Sequence, residues 1–349
     1  MAPAMETGRG PDRATLKDVA ALAGVHPGTA SRAINAATRD LVNEETARRV
    51  LAAADELGYR PNPIARGLKT SRSYTVGVLI PDLTNPLFPR IVRGIQDKLE
   101  ESGYTPLIAN TDNDPARERA DIEAMRARQV DGLITATAHR HDDLEIDGAG
   151  GELPVVLVNR RHEQGTRPSV VADDRLGVRL AIEHLVALGH RRIAHLAGPQ
   201  DLSTGYLRLQ GFREALADAG IEYDDELVLA ADAFVEEEGE RLCNELLDRG
   251  LEVTAIFAGN DLMALGCYDA FVARGIVCPD QISVVGFNDM PFAAWFDPPL
   301  TTVHLPQYEI GERAAELLLE RLHNPAAEPT QMLLEPTLAV RGSTAPPAG

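Results

Sequence analysis

Apolar positions along the chain follow two rhythms, and the change between them divides the molecule. Up to about residue 57 the spacing is helical. Leu16, Val19, Ala20 and Ala23 share one helix face. Thr15 is placed to cap that helix, and Asp18, three residues on, completes a capping-box spacing. Gly24 suits the left-handed turn that ends it. Pro27 opens a second helix, Pro27–Ile34, at the position where a missing N–H costs nothing. Asn43 is placed to cap a third helix running to about Leu57, with Ala47, Val50, Leu51, Ala54 and Leu57 as its stripe. Beyond Gly58 come a stiff Tyr59-Arg60-Pro61-Asn62-Pro63 linker and Ile64–Lys69, which carries one helical turn of pattern. A segment that short is not helical alone, so it is expected to order only when something holds it.

From Thr75 the rhythm becomes alternating strand and helix. The runs 75–80, 105–110, 132–137, 154–159, 192–198, 255–259 and 282–287 read as buried parallel strands. Leu87–Glu101, Arg117–Arg128, Leu176–Leu188, Tyr206–Ala219, Gly239–Arg249 and Leu262–Arg274 read as the helices between them. Alternation of this kind predicts doubly wound parallel sheets, and at least seven strands suit two similar α/β lobes better than one wide sheet.

Charge sharpens this division. The net charge of −19 argues at first against a nucleic-acid partner. Its distribution reverses the argument: residues 1–73 hold 11 Lys and Arg against 8 Asp and Glu, the remainder 23 against 45. A mildly basic head on a strongly acidic body favours one region near phosphate and a body that avoids it. A head of only +3 binds weakly alone, which points to a dimer presenting two heads. No apolar run is long enough to span a membrane, and 1–13 has no apolar core of a secretory signal, so a cytoplasmic protein with a disordered leader is expected. Cys243, Cys267 and Cys278 have no CxxC spacing and an odd count, which argues against a disulfide framework.

Candidate chemistry lies mainly on the second helix. It presents Thr29, Ser31 and Arg32, followed by Asn35, a small, polar, partly basic face able to lie in a DNA major groove. Elsewhere the readings are plain. His139-Arg140-His141-Asp142-Asp143 reads as a polar loop rather than a metal site. Glu236-Glu237-Glu238 reads as a solvated helix start. Gly148–Gly151 follows no strand and opens no helix, so it is no dinucleotide loop. No catalytic motif or nucleophile–base spacing is present, and no enzyme, cofactor or metal is expected.

Taken in order, the landmarks TLKDVAALAGV…TASRAIN, LGYRPNPIARGLKT, VGVLIPDLTNPLF, DGLI, EHLVALGHRRIAHLAGP, RLQGFREAL, AIFAGNDLMALG, ISVVGFND, PPLTTVHLP, IGERAAELLLERL and RGST resemble the LacI/GalR family of bacterial transcriptional repressors from about Thr15 to Thr344. The resemblance implies an all-α helix-turn-helix head on a periplasmic-binding-protein-like α/β body of two doubly wound lobes. It implies a leader at 1–13, a DNA-binding domain at 14–60, a hinge at 61–73, a body at 74–341 and a tail at 342–349. Lobe 1 takes about 74–171 and 305–332, and lobe 2 about 172–302 and 333–341. The implied partners are operator double-stranded DNA, a second copy of the chain, and a small-molecule effector, most simply a carbohydrate, in the interlobe cleft.

The same resemblance assigns residues. Base reading falls on Pro27, Gly28 and Arg32, where Pro27 offers only apolar contact and Gly28 none. Thr15, Thr29, Ser31 and Asn35 match phosphate-contacting positions, which fix register rather than sequence. His26 stands where a capping Ser is usual, within reach of a phosphate. Leu68 matches a minor-groove wedge, with Asn62, Ala65, Arg66 and Lys69 lining that groove. In the cleft the strand-end positions are Asn159, Arg208, Asn260 and Asn288, with Phe88, Phe234 and Trp295 as walls and Asp261 and Asp289 orienting neighbours. Many relatives carry Asp at 159 and 288, and the amides here make a more anionic ligand tolerable. With no heptad repeat beyond the body, a coiled-coil tetramer is not expected. A transport solute-binding protein and a sugar-modifying enzyme are the competing readings. The helical head opposes the first and the missing catalytic constellation the second.

Overall fold

The computed structural model describes residues 14–60, 72–141 and 153–348. The chain divides into two compact units, 1–73 and 74–349. Asn62, Ala65, Arg66, Leu68 and Lys69, expected in the hinge, lie outside the described residues, as do Asp142, Asp143 and Gly148–Gly151.

The first unit holds helices α1 (Leu16–Leu22), α2 (Pro27–Ile34) and α3 (Glu44–Glu56), with a 3₁₀ segment at Ala36–Leu41. Thr15 and Asp18 form the reciprocal capping box: Asp18 N–H donates to Thr15 Oγ1 at 3.4 Å, and Thr15 N–H to Asp18 Oδ2 at 2.7 Å. The hydrogen bonds from Thr15 hold the Asp18 carboxyl below its usual range. Gly24, at φ +65°, lets Val25 N–H reach back to Ala20 O at 2.9 Å and close the helix end. The core consists mostly of alanine: Ala20, Ala23, Ala30, Ala33, Ala47, Ala53 and Ala54 around Val19 and Val50. Leu51 and Leu57, expected in the α3 stripe, are each 37% exposed, and Ala53 is buried instead. Small side chains let the helices approach too closely to admit leucine there.

The second unit carries two six-stranded sheets. The first is built from β1 (Thr75–Ile80), β2 (Thr105–Asn110), β3 (Gly132–Thr135), β4 (Val155–Val158), β5 (Ser169–Ala172) and β11 (Gln331–Leu334), in the order β11-β5-β4-β3-β1-β2 and parallel throughout. Its helices are α4 (Leu87–Glu101), α5 (Pro115–Ala127) and α10 (Gln307–His323). The second contains β6 (Ile193–Ala197), β7 (Val228–Ala230), β8 (Ala255–Ala258), β9 (Ser283–Asn288), β10 (Thr301–His304) and β12 (Thr337–Ala339), in the order β12-β10-β9-β8-β6-β7. Only β12 pairs antiparallel. Helices α6 (Asp174–Ala187), α7 (Ser203–Asp218), α8 (Glu236–Asp248) and α9 (Asp261–Arg274) alternate with these strands in the chain.

All seven expected strands are present, although the one expected at 132–137 stops at Thr135. The chain passes between the sheets three times: after β5, between β10 and α10, and between β11 and β12. Each lobe is a doubly wound sheet, parallel except at β12, so loops at the strand carboxyl ends are where a ligand crevice forms.

Candidate functional site

In the head, α2 buries Ala30 and Ala33 and turns its other residues outward. Pro27 and Ser31, and Gly28 and Arg32, are one helical turn apart and share the outer face, with Asn35 at its end. Thr29 and Ser31 are half-buried, while Thr15, Arg32 and Asn35 are exposed. His26 is the N-cap: its Nδ1 accepts the Gly28 N–H at 3.1 Å. That bond requires a bare Nδ1 and leaves Nε2 as the ring's proton carrier in the neutral form. Arg32 Nε donates to Gly28 O at 3.2 Å, which fixes the base of the guanidinium along the helix. The far end of α2 is closed by side chains that the spacing did not reveal. Thr38 Oγ1 donates to Arg32 O at 3.1 Å, and Arg39 Nε to Ala33 O at 3.0 Å.

In the body, the positions after β4 and β9 are built on unusual backbone. Asn159 has φ +64° and Asn288 φ +110°, a region that amide side chains enter more readily than most. Arg208, on α7, is 2% exposed. Its Nε donates to Asp174 Oδ1 at 2.8 Å, its Nη1 to Gly259 O at 2.7 Å, and its Nη2 reaches Asn288 Oδ1 at 3.5 Å. The guanidinium lies 3.8 Å from the Phe287 ring centroid and 5.5 Å from that of Phe234. Burial pushes the Asp174 carboxyl up, against the opposing pull of Arg208. Asn260 caps α9, accepting Met263 N–H at 2.8 Å, and its Nδ2 donates to Phe234 O at 3.4 Å. Arg208, Asn260, Asn288 and Phe234 are therefore brought together.

The other two aromatic positions lie at opposite extremes of exposure. Phe88 is 2% exposed and packs in the large apolar core with Ile91 and Ile95. Trp295 is 85% exposed on a 3₁₀ turn, because its neighbours Phe292 and Phe296 stack on each other at 5.5 Å and the turn buries Ala293 instead. Asp261 and Asp289 bind protein groups. Asp261 accepts from Met290 N–H and Thr302 Oγ1, and Asp289 bridges His304 and Arg341.

Two further buried residues adjoin these positions, Arg160 in sequence and Gln307 through a hydrogen bond. Arg160, next to Asn159, is 6% exposed; its Nη1 reaches Asn113 Oδ1 at 3.4 Å, and its Nε is buried without a partner among the described residues. Gln307 donates from Nε2 to Asn288 O at 2.6 Å, and its Oε1 is buried without a partner among the described residues. Direct adjacency to Asn159 was the one available signal for Arg160. At the rim, the lobes touch. Arg140 N–H donates to Asp201 O at 2.8 Å, its Nη1 to Gln200 O at 2.9 Å, and its guanidinium lies 3.5 Å over the Tyr206 ring. Arg161 N–H donates to Ser203 Oγ at 3.0 Å. His139 pairs with Asp201 and His141 with Glu163, and among the described residues no group of three or more His, Cys, Asp or Glu is placed to hold a metal. A cavity of about 340 Å³ is lined by Arg161, Asp174, Arg175, Arg179 and Leu333 among others, and Asn159, Asn260 and Asn288 are not part of its lining.

Residues 15–62 match the family described as bacterial regulatory proteins, lacI family, and 182–344 match a periplasmic binding protein-like domain. The ribose operon repressor of Escherichia coli (strain K12) is 36% identical over 332 residues, covering 95% of this chain and 99% of that protein. The chain belongs to the LacI family. Among solved structures, a transcriptional regulator CelR–cellobiose complex is similar at 37% identity and a TM-score of 0.73, covering 95% of this chain and 100% of that one. The lac repressor dimer bound to operator and the anti-inducer ONPF is similar at 28% identity and a TM-score of 0.83, covering 96% and 100%. As a LacI-family member the chain is a transcriptional regulator and not an enzyme. No helix among the described residues is long and apolar enough to cross a membrane.

Proposed function

We propose that this LacI-family chain is a cytoplasmic repressor that binds a pseudo-palindromic operator as a homodimer and changes its affinity when a sugar or sugar derivative enters the interlobe cleft. The observation that carries the reading is the pairing of two devices in one chain. One is the outward polar face of α2. The other is the buried Arg208, held at the strand ends by Asp174, Gly259 and Asn288. A guanidinium fixed on protein acceptors presents its remaining N–H edge in one geometry, which suits paired oxygens of a ligand. The ribose operon repressor and the cellobiose complex of CelR support a carbohydrate, and the lac repressor dimer on operator supports two-fold DNA recognition.

On α2, Arg32 reads a base edge, Thr15, Thr29, Ser31 and Asn35 hold phosphates, and Pro27 and Gly28 leave room rather than specify. His26 Nε2–H, freed by the capping role of Nδ1, faces outward to a phosphate. Leu68 wedges the minor groove beside Asn62, Ala65, Arg66 and Lys69. A lobe rearrangement that separates the paired hinges lowers DNA affinity through coupled folding. The test is a gel shift against DNA upstream of the chain's own coding sequence, with and without candidate sugars, using wild type and Leu68→Ala. Sequence-specific retention that a sugar alters, weakened by Leu68→Ala, is the expected result. No specific retention at low salt sinks the reading.

A further inference from the structure

The cleft holds two buried guanidiniums but an unequal set of partners. Arg208 is answered by Asp174 at 2.8 Å, and both side chains are almost fully buried. Arg160 forms no ion pair with any described carboxylate. Asp201 and Glu118 favour its charge only at a distance, and Arg208 opposes it. Among the described residues its guanidinium makes one hydrogen bond, to Asn113 Oδ1 at 3.4 Å, which is neutral and long. A buried charge without close partners is costly, and an anionic group beside it would offset that cost. The nearby amides add to the imbalance, because Asn159 and Asn288 are neutral where a carboxylate would offset the second guanidinium. Gln307, 2% exposed, contributes the opposite kind of group, a buried acceptor oxygen that no donor among the described residues reaches. The missing groups are thus an anionic oxygen facing Arg160 and a hydroxyl facing Gln307.

We infer that the effector is a hydroxylated anion, a sugar acid or a sugar phosphate, whose negative group is taken by Arg160 and one of whose hydroxyls donates to Gln307 Oε1. This rests on the effector reading of the cleft. The bound anion lies between residues from both lobes, so its charge draws Arg160 and Arg208 toward one centre and favours closure.

The experiment is thermal unfolding and calorimetric titration of the full chain with a matched panel: neutral pentoses, hexoses and disaccharides, their aldonates and uronates, and their phosphates. One anionic member is expected to raise Tm and to bind at least tenfold more tightly than its neutral parent. The carboxylate and phosphate arms separate the two sources of charge. Arg160→Gln is expected to weaken the anion by about tenfold to a hundredfold, the range of a charge-assisted bond. Arg160→Lys keeps the charge and is expected to keep the preference. Asn159→Asp, which tolerates the positive φ, is expected to shift preference toward the neutral parent. Each variant's ligand-free Tm and circular dichroism establish that it folds. A neutral sugar binding as tightly as its anions, or an undiminished anion preference in folded Arg160→Gln, overturns the inference while leaving the effector reading intact. No response across the panel, with operator retention preserved, overturns both.

Discussion

Arg208 and Asp174 form an ion pair at 2.8 Å with side chains 3% and 4% exposed. Such a pair contributes little net stability, but removing one member leaves an unanswered buried charge. Arg208→Ala is therefore expected to cost on the order of 3–5 kcal/mol in addition to any loss of ligand response. Asp174→Asn keeps an acceptor for Arg208 Nε but leaves that buried guanidinium without its counter-charge, so a loss of the same order is expected. Urea unfolding of both variants without ligand measures the two losses. An Arg208→Ala protein as stable as wild type would show that the pair is not closed off from water.

The head offers a second contrast. The Nδ1 of His26 holds the first turn of α2, so His26→Ala is expected to destabilise that helix by about 1 kcal/mol, and His26→Ser to restore most of it. Amide hydrogen exchange in α2 of the full chain measures this. Equal protection in wild type and His26→Ala would refute the cap. One residue on, a Cβ at Gly28 would lie 3.3 Å from His26 Nδ1, close enough that the ring must shift slightly. Gly28→Gln is thus expected to fold and to change operator preference in a site-selection assay, and an unaltered preference would contradict its base-facing assignment.

Two buried groups in the second lobe titrate with opposite effects. His195 donates from Nδ1 to Phe257 O at 2.9 Å and lies between the Phe212 and Phe257 rings, and burial pulls its pKa down to about 4. Between that value and 6.5 the unfolded chain binds more protons, so this group makes stability rise with pH. Burial pushes Asp261 up to about 7. Between 3.8 and about 7 the folded chain binds more protons, so stability falls as pH rises. The windows overlap, and the two slopes largely offset each other in wild type. Asp261→Asn keeps an oxygen for Met290 N–H and gives Thr302 a donor. Its stability relative to wild type is expected to grow through this window, toward a gain on the order of 4 kcal/mol by pH 8. Chemical denaturation at pH 5 and pH 8 reads the change. A difference constant with pH would exclude titration of Asp261.

Much of this architecture was legible because it is written in simple periodicity. The capping box at Thr15 and Asp18 and the seven apolar runs each state their element directly. What escaped were short pieces. Strands β7 and β12 have only three residues each, and the four-residue β5, β10 and β11 interrupt their apolar runs with Ser, Thr and His, or Gln. Site residues divided along similar lines. Arg208 and Asn288 stand beside strong strand and helix signals. Gln307 follows a crossing segment whose direction depends on the whole topology, and a single arginine such as Arg160 reads by default as surface. Trp295 is left on the surface because two neighbouring phenylalanines satisfy the local packing.

Lobe 1 is closed by an interhelical approach that depends on missing side chains. A Cβ on Gly94 of α4 would lie 2.1 Å from Tyr308 O, and one on Gly311 of α10 would lie 2.0 Å from Ile91 O. Those obstacles are backbone, so neither can swing aside, and an added methyl must push the helices apart. Gly311→Ala gains a little helix propensity but is expected to lose about 1–3 kcal/mol to overpacking, so the net effect is a lower Tm. Because α10 follows directly on the crossing from β10 and begins at Gln307, the shift should also be felt at Asn288 O, which Gln307 holds at 2.6 Å. The expected pattern is reduced stability together with weakened effector binding. A lower Tm with unchanged ligand affinity would show that Gln307 is positioned independently of the α4–α10 contact.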